Sequence, residues 1–299
     1  MDGIINVYKE AGFTSFDVVA KLRGILKQKK IGHTGTLDPD AEGVLPICVG
    51  KATKICEYLT EKDKVYGAIL HLGITTDTQD MSGTIIATKN VDISNEALEE
   101  VIGKFVGRQK QIPPMYSALK VNGQKLCDLA RKGIEVERKA RDIEIFSIEI
   151  LNIDIPLVSL RIHCSKGTYI RTLCQDIGEA AGCGGCMEKL LRTKTAGFAL
   201  EHALRLQEIE EIVKGNAIKT VEDILIPVDK VLDIYPVITA IKAADKLLWN
   251  GNRIPVKMTD YKEIQKAEFY RMYNAEGIFI GLFRYNKATK EFKPEKMFL

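Results

Sequence analysis

Between a basic run (Lys27, Lys29, Lys30) and an apolar one (Val44 to Val49) lies GHTGTLDPDAEG, which carries Asp38, Asp40 and Glu42 at alternating positions. In an extended chain such residues point the same way, and the proline after Asp38 favours that conformation. Three chemistries compete for carboxylates so spaced. Metal chelation by a calcium loop needs D-x-[DN]-x-[DN]-G, a pattern that fails here and again in DTQDMSG, Asp77 to Gly83. A phosphoryl-transferring aspartate at the head of a D-x-D pair would follow an apolar strand, whereas GHTGT precedes this one. The third is a lone aspartate presented by a rigid loop as nucleophile or base, with glycines letting a nucleotide backbone approach. A polar turn without chemistry has the same composition, since Gly, Thr, Asp and Pro all favour turns.

A second candidate is CSKGTYIRTL, Cys164 to Leu173. Ser165, Lys166, Gly167 and Thr168 form a turn, and Tyr169 and Arg171 stand where a helix starts. Arginine can pair bidentately with a carboxylate and tyrosine can stack on a base, although Tyr-Ile-Arg is also ordinary packing. Tyr66 in KVYGAIL reads on its own as a core aromatic of a strand. Cys183 and Cys186 have the spacing of half a zinc site, but neither a second C-x-x-C nor a matching histidine pair completes it, so GCGGCM reads as a glycine-rich turn with two thiols.

The elements that must position these residues alternate along the chain. GIINVYK reads as a strand, and Thr14 or Ser15 caps a helix with Val18, Val19, Leu22, Ile25 and Leu26 on one face. GKATKICEYLTEKDK suits a short helix, VYGAILHLG a buried strand, and GITTDTQDMSGTI a polar turn into another strand. SNEALEEVIGKFVGRQKQIP reads as a helix from its Ser-x-x-Ala start to the break at Pro113-Pro114. Two strands follow, ARDIEIFSIEILNIDI and LVSLRIHCS, and then the helix IRTLCQDIGEAAG. A boundary falls near LIPVDKVLDIYPVI. Beyond it the short pieces RIPVKM, EFYRMYN and GIFIGLFRYN predict a small β-rich domain.

A composition of 45% hydrophobic and 28% charged residues in 299 argues against disorder. No apolar run reaches the roughly 18 residues of a membrane span, and MDGIINVYKE lacks a signal-peptide layout, so the expected location is the cytosol. Seven cysteines, odd in number and set in apolar patterns, suit reduced thiols. The net charge of +3 hides an uneven distribution: +6 over Arg108 to Arg141, +5 over Ile238 to Leu299, and −8 elsewhere. Two basic segments on an acidic body suit a polyanion gripped at two places; solvated faces with chance imbalance suit the numbers equally.

Four motifs in order, GHTGTLDPDAEGVLPICVGKATK, KVYGAILHLGITTDTQDMSG, QIPPMYSALKVNGQKL with ARKGIEVERKAR, and CSKGTYIRTLCQDIGEAAGCGG, resemble the bacterial TruB family of tRNA pseudouridine synthases, which act on uridine 55 of the T-loop. The resemblance runs from about Gly3 to about Leu191. It implies an α+β fold: a catalytic domain of pseudouridine synthase type over 1–232, built on a mixed, largely antiparallel sheet, with an RNA-closing insertion at about 108–141. A small β-rich, PUA-like RNA-binding domain would follow over 233–299.

The same resemblance implies Asp38 as the catalytic aspartate, Tyr66 as the ring against the uracil, and Arg171 as the partner of the Asp38 carboxylate. His33, Gly35, Tyr169, Leu191 and Lys166 would bind the substrate, with His33 filling space around the flipped nucleotide and Tyr169 and Leu191 lining the uracil pocket. The family has tyrosine where KLCDLAR has Cys127. Isomerising uridine exchanges neither electrons nor phosphate, so no cofactor and no metal are expected. The expected partner is the T-stem-loop of tRNA, met by a monomer, with no membrane. A tRNA-folding chaperone without catalysis and a metal-dependent phosphatase on Asp38 and Asp40 are the alternatives.

Overall fold

Along KVYGAILHL buried and half-buried positions alternate without interruption, the period-two signature of a strand with one deeply covered face, and the segment forms β4 (Lys64–Leu72). The computed structural model describes residues 1–262 and 267–299. With strands numbered in chain order, β4 lies inside a nine-stranded sheet of order β1 (Gly3–Lys9), β3 (Glu42–Val49), β12 (Gly185–Thr195), β4, β11 (Leu157–Cys164), β10 (Arg141–Asp154) and β7 (Gly107–Gln111). Short strands β2 (Ile31–His33) and β13 (Phe198–Ala199) pair with β3 and β12. The pairing of β3 with β12 is parallel, through Leu191–Glu42 and Arg192–Gly43, in a sheet otherwise antiparallel.

Helices α1 (Ser15–Ile25) and α6 (Leu206–Lys214) cover β1 and β3, burying Val18, Leu22 and Ile209 against Ile5, Val7 and Ile47. Of the two proposed caps, Thr14 is the one used: its Oγ1 accepts from Asp17 N at 3.1 Å and the Asp17 carboxylate accepts from Thr14 N at 2.8 Å, a capping box. Ser15 turns inward. At the other end Gln28 N donates to Arg23 O at 3.3 Å, closing a Schellman turn with Lys27 at φ 49°, where glycine is the usual residue. Gly24 sits inside the last helical turn instead; a Cβ there would meet nothing in the protein.

Helices α3 (Asn95–Gly103) and α5 (Ile170–Ala180) bury Leu98, Leu173 and Ile177 against Leu70, Ile145 and Leu160. The helix expected to continue to Pro113 ends at Gly103. Its apolar spacing stops at Val106, and Gly107 to Gln111 become edge strand β7, hydrogen-bonded to β10 from Gly107–Ile145 to Gln111–Arg141. Segment GITTDTQDMSGTI is a hairpin of β5 (Ile74–Thr76) and β6 (Ile85–Thr88) around its polar turn. Between β7 and β10 lie the hairpin β8 (Lys120–Val121) and β9 (Gln124–Lys125) and the one-turn α4 (Leu126–Ala130). GKATKICEYLT is a 3-10 turn, Gly50–Ile55, leading into α2 (Cys56–Thr60).

A five-stranded sheet follows, of order β14 (Val237–Thr239), β16 (Tyr270–Tyr273), β17 (Phe279–Asn286), β18 (Glu291–Met297) and β15 (Ile254–Pro255). It has a core of its own around Ile238, Tyr270, Phe283 and Phe292. A further core joins it to the first sheet, with Phe269, Leu282 and Phe298 packed among Ile4, Val44, Cys48 and Leu59. Lys54 Nζ donates to Met297 O at 2.5 Å and Lys296 pairs with Glu57 at 2.6 Å across the same seam. The fold is therefore α+β with a β-rich C-terminal domain. Among the described residues no helix is long and apolar enough to cross a membrane.

Candidate active site

The loop from β2 to β3 carries Asp38, and two buried cations hold its carbonyls. Lys9, fully buried at the end of β1, donates from Nζ to Pro39 O at 2.8 Å, Ala41 O at 2.6 Å and Glu10 O at 3.1 Å. Arg192 on β12, 1% exposed, donates from Nε to Val44 O at 2.7 Å, from Nη2 to Gly35 O at 3.2 Å and from Nη1 to Thr36 O at 3.4 Å. Backbone groups add to the grip: Leu37 N donates to Ser15 Oγ at 2.9 Å and Gly12 N to Pro39 O at 3.0 Å. Burying an amine disfavours its charged form, so Lys9 is lowered to about 8 despite the nearby carboxylates of Asp38, Asp40 and Glu42.

Arg171 meets this loop from the first turn of α5. That helix has no side-chain cap of its own. Gln111 on β7 supplies the fixing contacts, accepting from Tyr169 N at 2.9 Å and donating to Tyr169 O at 3.0 Å. The Arg171 guanidinium then takes Asp38 with two prongs, Nε to Oδ2 at 3.0 Å and Nη2 to Oδ1 at 3.2 Å. Its other contacts are Thr78 O at 3.1 Å, Asp80 Oδ2 at 3.3 Å and Tyr116 O at 2.8 Å.

Asp80 owes its position to a polar turn. Its Oδ1 accepts from Thr78 Oγ1 at 2.7 Å, Ser82 N at 3.1 Å and Ser82 Oγ at 2.5 Å. DTQDMSG, which fails as a calcium loop, thus aims one carboxylate at Arg171.

Asp38 faces a cavity of about 1340 Å³ with 40% of its side chain open. Even so, the surrounding protein displaces enough water for burial to raise its pKa above the ordinary carboxylate value. Arg171 and Lys9 pull the other way, while Asp80 and Asp40 add to the rise. The sequence led us to expect Arg171 to favour the charged form; it does so, but burial outweighs it.

Of the remaining expected residues, Leu191 lines the cavity beside Gly67, its partner across β12 and β4. Tyr66 is 7% exposed and stands opposite Arg192 in the pairing of β4 with β12; burial raises the phenol. Tyr169 lies within the field of Arg171 and Asp38, its phenol also raised chiefly by burial. His33 Nδ1 accepts from Gly35 N at 3.4 Å, and burial followed by the charge of Arg192 lowers its pKa. Gly35, at φ 144°, occupies backbone space that favours glycine.

Of the expected substrate residues only Leu191 is on the cavity wall; Tyr66, Tyr169, His33, Gly35 and Lys166 are not, and Lys166 is exposed and ion-paired with Glu61. Asp40 and Glu42 do line the cavity, and Glu42 accepts from Tyr8 OH at 3.1 Å. Cys127 lines it too, from α4. All seven cysteines are free thiols, and among the described residues no group of three or more His, Cys, Asp or Glu gathers closely enough to hold a metal ion.

Sequence reasoning missed Lys9, Asp80, Gln111 and Arg192. Lys9 left a local trace, as a lysine closing an otherwise uncharged strand, and Asp80 stood in the polar turn DTQDMSG.

Residues 23–170 match the model for the TruB family pseudouridylate synthase N-terminal domain, and residues 171–233 that for the tRNA pseudouridylate synthase B C-terminal domain. Proteins named tRNA pseudouridine synthase B from Lachnoclostridium phytofermentans and Clostridium kluyveri are 53% identical over 314 residues and 48% identical over 299, each alignment spanning 100% of both chains. A chain in the crystal structure of a Cbf5-Nop10-Gar1 complex superposes with a TM-score of 0.76 at 26% identity, covering 99% of this chain and 85% of that one. A chain in an H/ACA RNP bound to a substrate RNA containing 2'-deoxyuridine shares the fold, with a TM-score of 0.75 at 23% identity over 99% of this chain and 85% of that one.

Proposed function

The chain belongs to the TruB family of pseudouridylate synthases, and we propose that it converts a uridine of tRNA, uridine 55 in the T-loop, to pseudouridine with Asp38 as the reacting carboxylate. The observation that carries this reading is the two-pronged Arg171–Asp38 contact on the wall of a cavity of about 1340 Å³. Ligand pockets usually measure roughly 300–1,000 Å³, so there is room for an extruded nucleotide and part of its neighbours.

The reaction is an isomerisation. The bond from ribose C1′ to uracil N1 breaks, the base turns, C1′ bonds to C5, the C5 proton leaves and N1 gains one. Addition of the carboxylate to the sugar, its addition to the base, and removal of a sugar proton all require Asp38 ionised. Arg171 supports that form and fixes its direction. The target base must first leave its stack, which costs a few kcal/mol. Tyr66, Tyr169 and Leu191 are the residues we assign to the uracil, with His33 and Gly35 beside the nucleotide and Lys166 toward its phosphates.

The stretch 108–141 closes over the RNA in this reading, supported by Tyr116, Lys125, Cys127 and Arg131 on the cavity wall. The unit 233–299 acts as a PUA-like hold on tRNA, and the protein works as a cytoplasmic monomer. Release of tritium from C5 of uracil in tRNA, measured with and without chelator, tests the assignment. Chelator-independent release by the parent and none by Asp38→Asn is the expected result. No release from the parent would leave a tRNA chaperone, and chelator-sensitive phosphate release would indicate a phosphatase.

A further inference from the structure

Between Asp17 and Asp38 the chain holds five cations, Lys21, Arg23, Lys27, Lys29 and Lys30, and no carboxylate. Among the described residues none of the five meets a carboxylate within 4.0 Å. Instead Lys21 lies 4.8 Å from the ring centre of Phe13, and Arg23 lies 5.9 Å from that of Phe16, an aromatic 63% exposed. Arg23, Lys27, Gln28 and Lys29 surround a concavity of about 420 Å³ where α1 ends.

The backbone there is arranged against local preference. Lys27 occupies the left-handed position at which glycine is relaxed, and Gly24 occupies an exposed helical position at which an added Cβ would meet nothing within 4 Å. Glycine inside a helix weakens it and a left-handed lysine is strained, so neither choice serves stability. Together they leave Phe16 and Arg23, at i and i+7 on the exposed side of α1, beside a bare patch of backbone at Gly24, with exposed Lys27 just past the end of the helix. Cations beside exposed aromatics around accessible backbone suit an RNA strand, whose phosphates need charge and close approach.

We propose that this face of α1 is an additional phosphate-binding surface for the substrate RNA, set a helix length from the target uridine. The proposal rests on the tRNA-modifying function. Thr14, at the other end of α1, lines the Asp38 cavity, and the 11 residues of the helix span ~16 Å between the two. The charge counts over 108–141 and 238–299 do not include this segment, so it would be a third point of contact.

The test is the pair Arg23→Glu with Lys27→Glu in the full chain. The dissociation constant for tRNA should rise about tenfold, the dependence of log affinity on log salt should flatten by about two, and the single-turnover rate of bound tRNA should stay within about twofold. Gly24→Leu supplies the second arm: its thermal midpoint should hold or rise, since leucine is the better helix former, while tRNA affinity falls. An unchanged affinity and salt slope in the charge pair, or an unchanged affinity in Gly24→Leu, would overturn the proposal. Failure of the enzyme reading is distinguishable, because the parent itself would then release no tritium.

Discussion

Arg171 touches both carboxylate oxygens of Asp38, and the same guanidinium reaches the carbonyls of Thr78 and Tyr116. One side chain thereby ties the reacting loop to the β5–β6 turn and to the stretch between β7 and β10. Lysine keeps the charge but lacks the planar fork. Arg171→Lys should therefore lower turnover at least about a hundredfold and, by leaving a half-buried carbonyl unpaired, cost roughly 1 kcal/mol of stability. Near-normal turnover in a tritium-release assay would mean that Asp38 is oriented by something else.

Asp38→Asn is nearly isosteric, so the loop should keep its carbonyl contacts to Lys9 and Arg192. No pseudouridine should form, while the tRNA dissociation constant stays within about tenfold, roughly 1.4 kcal/mol. Filter binding beside product analysis separates these two readouts. Asp40→Asn and Glu42→Gln should remain active; equal loss in Asp40→Asn would point to paired-carboxylate chemistry.

The raised pKa of Asp38 has a kinetic signature. Because the ionised form reacts, the acid limb of single-turnover rate against pH should lie above the position of an ordinary carboxylate. Arg171→Met, which removes the main opposing charge, should move the limb higher still. A limb that stayed in place would uncouple the two residues.

Among the described residues Arg192 meets no carboxylate in its buried position; its hydrogen bonds go to the carbonyls of Gly35, Thr36 and Val44. Replacing it with methionine orphans up to three loop carbonyls and should cost about 3 kcal/mol or more in urea unfolding. A stability loss under about 1 kcal/mol would show that the loop holds its shape without the cation.

Asp176, on α5, is raised from 3.8 to about 6, first by burial and then by the charge of Glu179. A carboxyl whose pKa is higher in the folded chain contributes stability below its unfolded pKa and loses it as pH climbs through the folded value. Asp176→Asn should therefore match the parent near pH 4 and exceed it near pH 7.5, by roughly 1–2 kcal/mol once solvent screening is allowed for. Equal stability at both pH values would place Asp176 in better-hydrated surroundings.

Much of the fold could be read locally because its signals are local. The alternation in β4, the Thr14 cap and the apolar face of α1 each occupy a few adjacent residues. The edge strand β7 could not, since GRQKQ has no apolar alternation and becomes a strand through its pairing with β10, from Gln111–Arg141 to Gly107–Ile145. The site divides the same way. Asp38 and Arg171 stand out within motifs, whereas Arg192 acts on Gly35 at a separation of 157 residues and Lys9 on Ala41 at 32, distances no window in the sequence spans.

Ile4 and Phe298 belong to one apolar cluster, so the third core is built from opposite ends of the chain. During synthesis, β1 and β3 emerge early with one side of that cluster uncovered, and its C-terminal partners Phe269, Leu282 and Phe298 follow more than two hundred positions later. Until then the nascent protein displays Val44, Cys48 and Leu59 to whatever is nearby, as a binding site for chaperones and a target for proteases. Substitutions at Phe269, Leu282 or Phe298 should therefore reduce the yield of soluble protein more than they change the activity of the molecules that do fold.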